Sequence, residues 1–266
     1  MARTSDLARD LTDLCIELRQ LPGKPDGPTA LAGFFNVEPW SAEFMLIMAS
    51  LNQRIEALRS MINSIELDED IRESASSCLE NIRNAFTAGG LLNQWSHSIN
   101  TFLSDANVQP IRLTSGYIRE RHGYIVPSKD EVDEMIAHAE SLREWLVDAN
   151  LQDRDFIRTA LIEGIDSFIF KITRFGHFGW TEVLESLKSV VSAYMALERG
   201  MVEGAEPSIY EAAAKKVASF LKLSFEKVKS TKEVYEVSDW VLRGYGALHA
   251  IPDAKSVVAG LLQNLT

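Results

Sequence analysis

Apolar residues recur three and four positions apart along almost the whole chain, from Leu7, Leu11, Leu14 and Leu18 to Val257, Val258, Leu261 and Leu262. Alternation of period two is nearly absent. Side chains at the first spacing share one face of an α-helix, whereas strand residues alternate between faces, so the pattern predicts an all-α fold. About ten helices can be laid on it as a multi-helix bundle.

One helix-turn-helix arrangement occurs twice. In the first copy a helix carrying Leu58, Met61, Ile62 and Ile65 ends at Glu66-Leu67-Asp68-Glu69-Asp70, and Ile71 restarts the apolar series. In the second, Leu142, Trp145, Leu146 and Ala149 lead into Leu151-Gln152-Asp153-Arg154-Asp155, and Phe156 restarts it. Leu58 and Leu142 are 84 residues apart, as are Leu67 and Leu151, and each copy then reaches glycine at Gly89-Gly90 or Gly176. A duplicated three-helix unit accounts for this spacing.

Prolines and glycines punctuate the series. Pro22 to Gly33 reads as an irregular connection, after which Phe34-Phe35 must be buried. Between Asp105 and Pro127 the pattern fails around Pro110, Gly116, Gly123 and Pro127, which predicts a long loop. Any boundary falls there, giving an N-terminal subdomain of residues 1–127 and a C-terminal one of 128–266, unless the whole is one continuous domain. Ser128-Lys129-Asp130-Glu131 and Ser208-Ile209-Tyr210-Glu211 are capping boxes that start helices. Gly164, inside a helix, costs about 1 kcal/mol relative to alanine, and a close helix crossing would explain it.

Composition excludes several function classes. A net charge of -11 over 266 residues opposes default binding to nucleic acid or an anionic membrane. The charge is uneven: eleven acids against four bases from Lys129 to Asp166, then six lysines against Glu226 alone from Lys215 to Lys232. Solvated helix faces explain these runs. Alternatively, one segment docks on the other, or Lys215, Lys216 and Lys222 meet an acidic protein partner or a second copy of the chain.

Cys15 and Cys78 fall on apolar stripes and imply no disulfide framework. The N-terminal residues lack the apolar core of a secretory signal, and no apolar run reaches the roughly 20 residues of a transmembrane segment, so a cytoplasmic setting is expected.

Candidate chemistry is sparse. His97, His122, His138, His177 and His249 never stand four apart as two metal ligands on one helix would. No nucleophile elbow, P-loop, dinucleotide glycine pattern or C-x-x-C is present, so no cofactor is expected. Arg174-Phe175-Gly176-His177-Phe178-Gly179-Trp180 could present His177 on a tight loop or form a backbone nest for an anion. The structural reading is a helix C-cap with Gly176 left-handed, followed by an aromatic plug. The tryptophans Trp40, Trp95, Trp145, Trp180 and Trp240 mostly read as core.

Arg243-Gly244-Tyr245-Gly246-Ala247-Leu248-His249 resembles the arginine-to-histidine spacing of HEPN ribonucleases, which are also all-α. The resemblance implies a metal-independent RNA-cleaving pair in which Arg243 stabilises phosphate charge and His249 assists proton transfer. It covers two residues, and Gly244 stands where that family usually has a polar side chain. Absent catalytic motifs point instead to a non-enzymatic interaction or regulatory protein, for which an accessory role in a bacterial defence system is one setting. A third reading has the helices between Ile209 and Leu265 engaging a membrane surface or a larger assembly.

Overall fold

The computed structural model describes residues 4–149, 151, 155–199 and 209–227. Among them are twelve helices, ten of seven residues or more, and two extended dipeptides, β1 (Thr4–Ser5) and β2 (Tyr124–Ile125). The fold is all-α, as the periodicity requires. The described chain divides into two compact units, one of residues 4–123 with 176–179, the other of the remainder.

The first unit opens with α1 (Leu7–Leu18), capped by the Asp6 carboxylate accepting from Arg9 N at 2.9 Å. It buries Leu7, Leu11, Leu14, Cys15 and Leu18 along one stripe. Next come α2 (Gly27–Phe35), α3 (Ala42–Ser64), α4 (Glu69–Ala85), α5 (Ala88–Leu91), α6 (Trp95–Thr101) and α7 (Asp105–His122). Helix α7 packs against α1 and α4, and α3 against α4.

Three expectations are corrected here. The Pro22–Gly33 connection contains most of α2, because Asp26 caps it through Thr29 N at 3.0 Å and Pro28 sits in its first turn, where no amide hydrogen is needed. The spacing of Leu92, Trp95, Ile99, Phe102 and Leu103 predicts one helix after Gly89-Gly90, but the structure breaks that stretch between α5 and α6. Asn93 O accepts from Gly27 N at 3.1 Å, while Trp95 N and Ser96 N donate to Pro25 O and Gly23 O at 2.8 and 2.9 Å. Those bonds separate α5 from α6.

The third correction is the largest: residues 105–122 form a helix, not a loop. Pro110 lies inside it and has no amide hydrogen for the Ala106 carbonyl four residues back. The Cys78 thiol of α4 donates to that carbonyl, with Sγ 3.7 Å away. The buried face of α7 is also unusually polar, carrying Asn107, Thr114 and Ser115 beside Val108, Ile111 and Ile118. Each polar group is bonded. Asn107 Nδ2 donates to Thr101 O and Phe102 O at 3.0 Å, Thr114 Oγ1 to Ile111 O at 2.8 Å, and Ser115 Oγ to Asp6 Oδ2 at 2.6 Å.

In the second unit, α8 (Lys129–Asp148), α9 (Asp155–Thr173), α11 (Trp180–Arg199) and α12 (Ile209–Lys227) pack in the cyclic order α8, α9, α11, α12. Their shared core includes Leu142, Leu146, Leu161, Ile165, Leu187, Val190, Val217 and Phe220. The short α10 (Phe175–Phe178) leads from Phe175 of this unit into the four residues that belong to the other.

Both expected helix hairpins are present, as α3–α4 and α8–α9, but their third helices differ. Helix α4 packs most extensively on α7, with two short helices between, whereas α9 packs on α11. Gly164 does mark a close crossing: a Cβ there would lie 3.0 Å from Val190 Cγ2 and 3.2 Å from Val190 N. The acidic and basic segments meet within this unit. Lys227 of α12 pairs with Glu134 of α8 at 2.8 Å, and Lys216 Nζ lies 5.4 Å from the centroid of the Trp145 ring.

The Ser128 capping box is complete, with the Glu131 side chain accepting from Ser128 N at 2.8 Å and Ser128 Oγ from Glu131 N at 3.3 Å. Ser128→Ala should lower stability by about 0.5–2 kcal/mol, read as a shift in the urea midpoint without a change in slope. An unchanged midpoint would show that the box contributes nothing net. The second box includes Ser208, which lies outside the described residues, as do the expected helices after Thr231 and Asp253.

Candidate functional site

Arg54 is the least expected feature of the first unit. It lies on the inward stripe of α3 between Leu51 and Leu58 and is only 2% exposed. A guanidinium cannot shed its charge, so burial demands compensation from nearby acceptors. The His177 carbonyl accepts from Arg54 Nη1 at 2.7 Å, and Asp10 Oδ2 lies 3.7 Å from Nη2.

The segment Gly176–Gly179 fills the space around this cation. Gly179 has φ +75°, and a Cβ on it would lie 3.2 Å from the guanidinium carbon. The left-handed glycine is thus Gly179, not Gly176 as expected, because that is where the backbone turns against Arg54. The His177 imidazole stands edge-on to the rings of Phe34 and Phe35, with centroids 4.8 and 5.3 Å away. Here a carbonyl oxygen faces a cation, the opposite polarity to an anion nest.

The chemistry of this cluster is structural. Burial lifts the Asp10 carboxyl above the usual carboxylate range, while Arg54 pulls it back down. Burial also pushes the Cys15 thiol up to about 12, so at neutral pH it is no thiolate nucleophile. Among the described residues, no group of three or more His, Cys, Asp or Glu could hold a metal ion.

The other expected site residues belong to the second unit or lie outside the described residues. Arg174 lies over the Phe170 ring, 4.2 Å from its centroid, and Trp180 is buried edge-on to Phe175 at 5.4 Å. Lys215, Lys216 and Lys222 are on the exposed side of α12. Lys215 pairs with Glu211 one turn earlier at 2.7 Å, and Lys216 is the lysine over Trp145. Arg243, His249 and Trp240 lie outside the described residues.

One surface escaped the sequence reading. Trp40 is 51% exposed, unlike buried Trp95 and Trp180, and its φ is +62°. It stands between Pro39 and the N-cap Ser41, off every helical stripe. Exposed Met45 and Leu46 lie in the next turn. The signal was the unbroken run Phe44-Met45-Leu46-Ile47-Met48: five consecutive apolar residues on a helix cannot all face one core. Phe44, Ile47 and Met48 take the core, leaving the other two to solvent.

A depression of about 360 Å³ is lined by Asn93, Gln94, Ser96, His97, Asn100 and Thr101. It contains no charged group, and its one imidazole is turned edge-on to Phe102. Comparison with protein-family models, curated proteins and solved structures gives no match to this chain.

Proposed function

We propose that this protein is a non-enzymatic interaction protein that docks an apolar protein surface on Trp40, Met45 and Leu46. The observation that carries this reading is the conformation of Trp40. A bulky residue in the left-handed region costs about 1–3 kcal/mol, and such strain concentrates at functional positions. Here it holds a large aromatic half in water, at a ring-centroid distance of 5.8 Å from Phe44. Tryptophan and methionine are enriched in protein interfaces, and tryptophan among the residues that dominate their energies. Two buried cysteines that form no disulfide support a reducing, cytoplasmic setting.

The test places a photo-crosslinking side chain at Met45 and, as control, at exposed Glu140 of α8, in the native cell. A discrete adduct is expected from position 45 alone, and Trp40→Gly should abolish it. That variant relieves the strained φ while losing contact with Phe44, so folding stability should move by no more than about 1 kcal/mol. Binding should fall by about 2 kcal/mol or more, roughly thirtyfold. Equal labelling from both positions, or adducts indifferent to Trp40→Gly, would overturn the proposal. No helix among the described residues is long and apolar enough to cross a membrane.

A further inference from the structure

Helix α7 carries a second unexplained surface, on the face opposite its buried one. Gln109, Leu113, Gly116 and Glu120 lie outward at alternating steps of four and three, the spacing of a helix–helix seam, with Tyr117 beside them. Leu113 is 73% exposed and Tyr117 49%. Gly116 sits between them in the helix interior, where glycine is unfavourable, yet nothing lies within 4 Å of where its Cβ would be. Gly164 shows what such a glycine does in this protein, since there Val190 of a crossing helix occupies the space. At Gly116 the glycine is present, and among the described residues no crossing helix occupies that space.

We propose that the crossing helix is α7 of a second copy, with the two helices crossing antiparallel at Gly116. A two-fold axis through this position brings residues 112 and 120 of opposite copies face to face, because they lie equally far from 116 on either side. Arg112 then meets Glu120 of the partner copy twice, and the exposed Leu113 and Tyr117 of both copies flank the crossing. The seam is self-complementary in charge, as an isologous interface must be. Arg112 already has one Nη 3.4 Å from Asp13, and the guanidinium fork has donors left for a second carboxylate. Charge does not oppose this place on a chain of net charge -11, because helix α7 carries three arginines against two acids.

This association does not rest on the Trp40 surface and stands or falls separately. A single helix pair lies at the small end of protein interfaces, so dissociation constants on the order of 10–100 µM are expected. Sedimentation equilibrium on the full chain should show the mass rising from 29.7 kDa towards twice that value with concentration. Gly116→Leu places a side chain in the crossing and should weaken association at least tenfold. Its far-UV circular dichroism and Tm should be no lower than those of the parent, because the space is open in the single copy. Glu120→Arg should weaken association by a similar factor, and adding Arg112→Glu should restore it, which only a partner presenting the same two residues explains. A chain that stays monomeric up to about 500 µM, well above that range, would overturn the proposal. So would a dimer indifferent to Gly116→Leu, or one that Glu120→Arg weakens and the double change does not rescue.

Discussion

Arg54→Ala is expected to destabilise the protein by about 3–5 kcal/mol, the usual cost of removing one partner from a buried ionic cluster. Two groups each lose an interaction. The His177 carbonyl gives up its 2.7 Å bond, and the Asp10 carboxylate loses the cation 3.7 Å away. The pH dependence separates these effects. The Asp10 carboxyl already stands above the usual carboxylate range, chiefly through burial, with Arg54 the main influence lowering it. A carboxyl raised by folding favours the folded state while protonated, and it costs stability as pH rises through that raised value. Removing Arg54 raises it further. The deficit of the variant should therefore be greatest near pH 7 and narrow as pH falls into the carboxylate range, leaving the part due to the carbonyl. Urea titrations at pH 7 and near pH 4 measure both parts. A deficit below about 1 kcal/mol, ordinary for a surface substitution, would mean that the cluster does not hold the segment Gly176–Gly179. A deficit of full size that ignores pH would remove Asp10 from the account.

Gly164→Leu is the second large effect. A bare Cβ at this position already lies 3.0–3.2 Å from Val190, one of those contacts being to backbone, and leucine adds three further carbons between α9 and α11. Overpacking of this kind costs about 1–3 kcal/mol, and the upper end or beyond is expected where two backbones must separate. Gly116→Ala supplies the contrast. It meets open space on α7, so the gain in helix propensity, about 1 kcal/mol, should raise stability. Parallel urea denaturation of the two variants should move the midpoint in opposite directions. A wild-type midpoint for Gly164→Leu would refute the close crossing.

Gly164 shows where the sequence was sufficient, and Gly116, taken as a mark of a loop, where it was not. Periodicity, capping and the cost of a mid-helix glycine are properties of residues within one or two turns of each other. From them the hairpins α3–α4 and α8–α9, the box at Ser128, the burial of Cys15 and Cys78 and the crossing at Gly164 could all be read. The bonds that make a polar group tolerable in a core run between distant parts of the chain, and only the tertiary structure supplies them. Helix α7 looked like a loop because half its buried face is Asn107, Thr114 and Ser115, and because Pro110 breaks its ladder. Ser115 is satisfied by Asp6, 109 positions away, and the carbonyl freed by Pro110 is met by Cys78, 28 away. Nothing in the sequence singles out Arg54, and its place in the core rests on His177, 123 residues on, which turns its carbonyl towards it. Charge followed the same division. The acidic and basic runs were plain in the sequence, but their meeting through Lys227 and Glu134 depended on the order in which four helices pack, which side-chain spacing along one helix does not encode. Trp40 is the remaining case: its exposure follows from a left-handed backbone before Ser41, and helical periodicity has no bearing on a residue outside the helix.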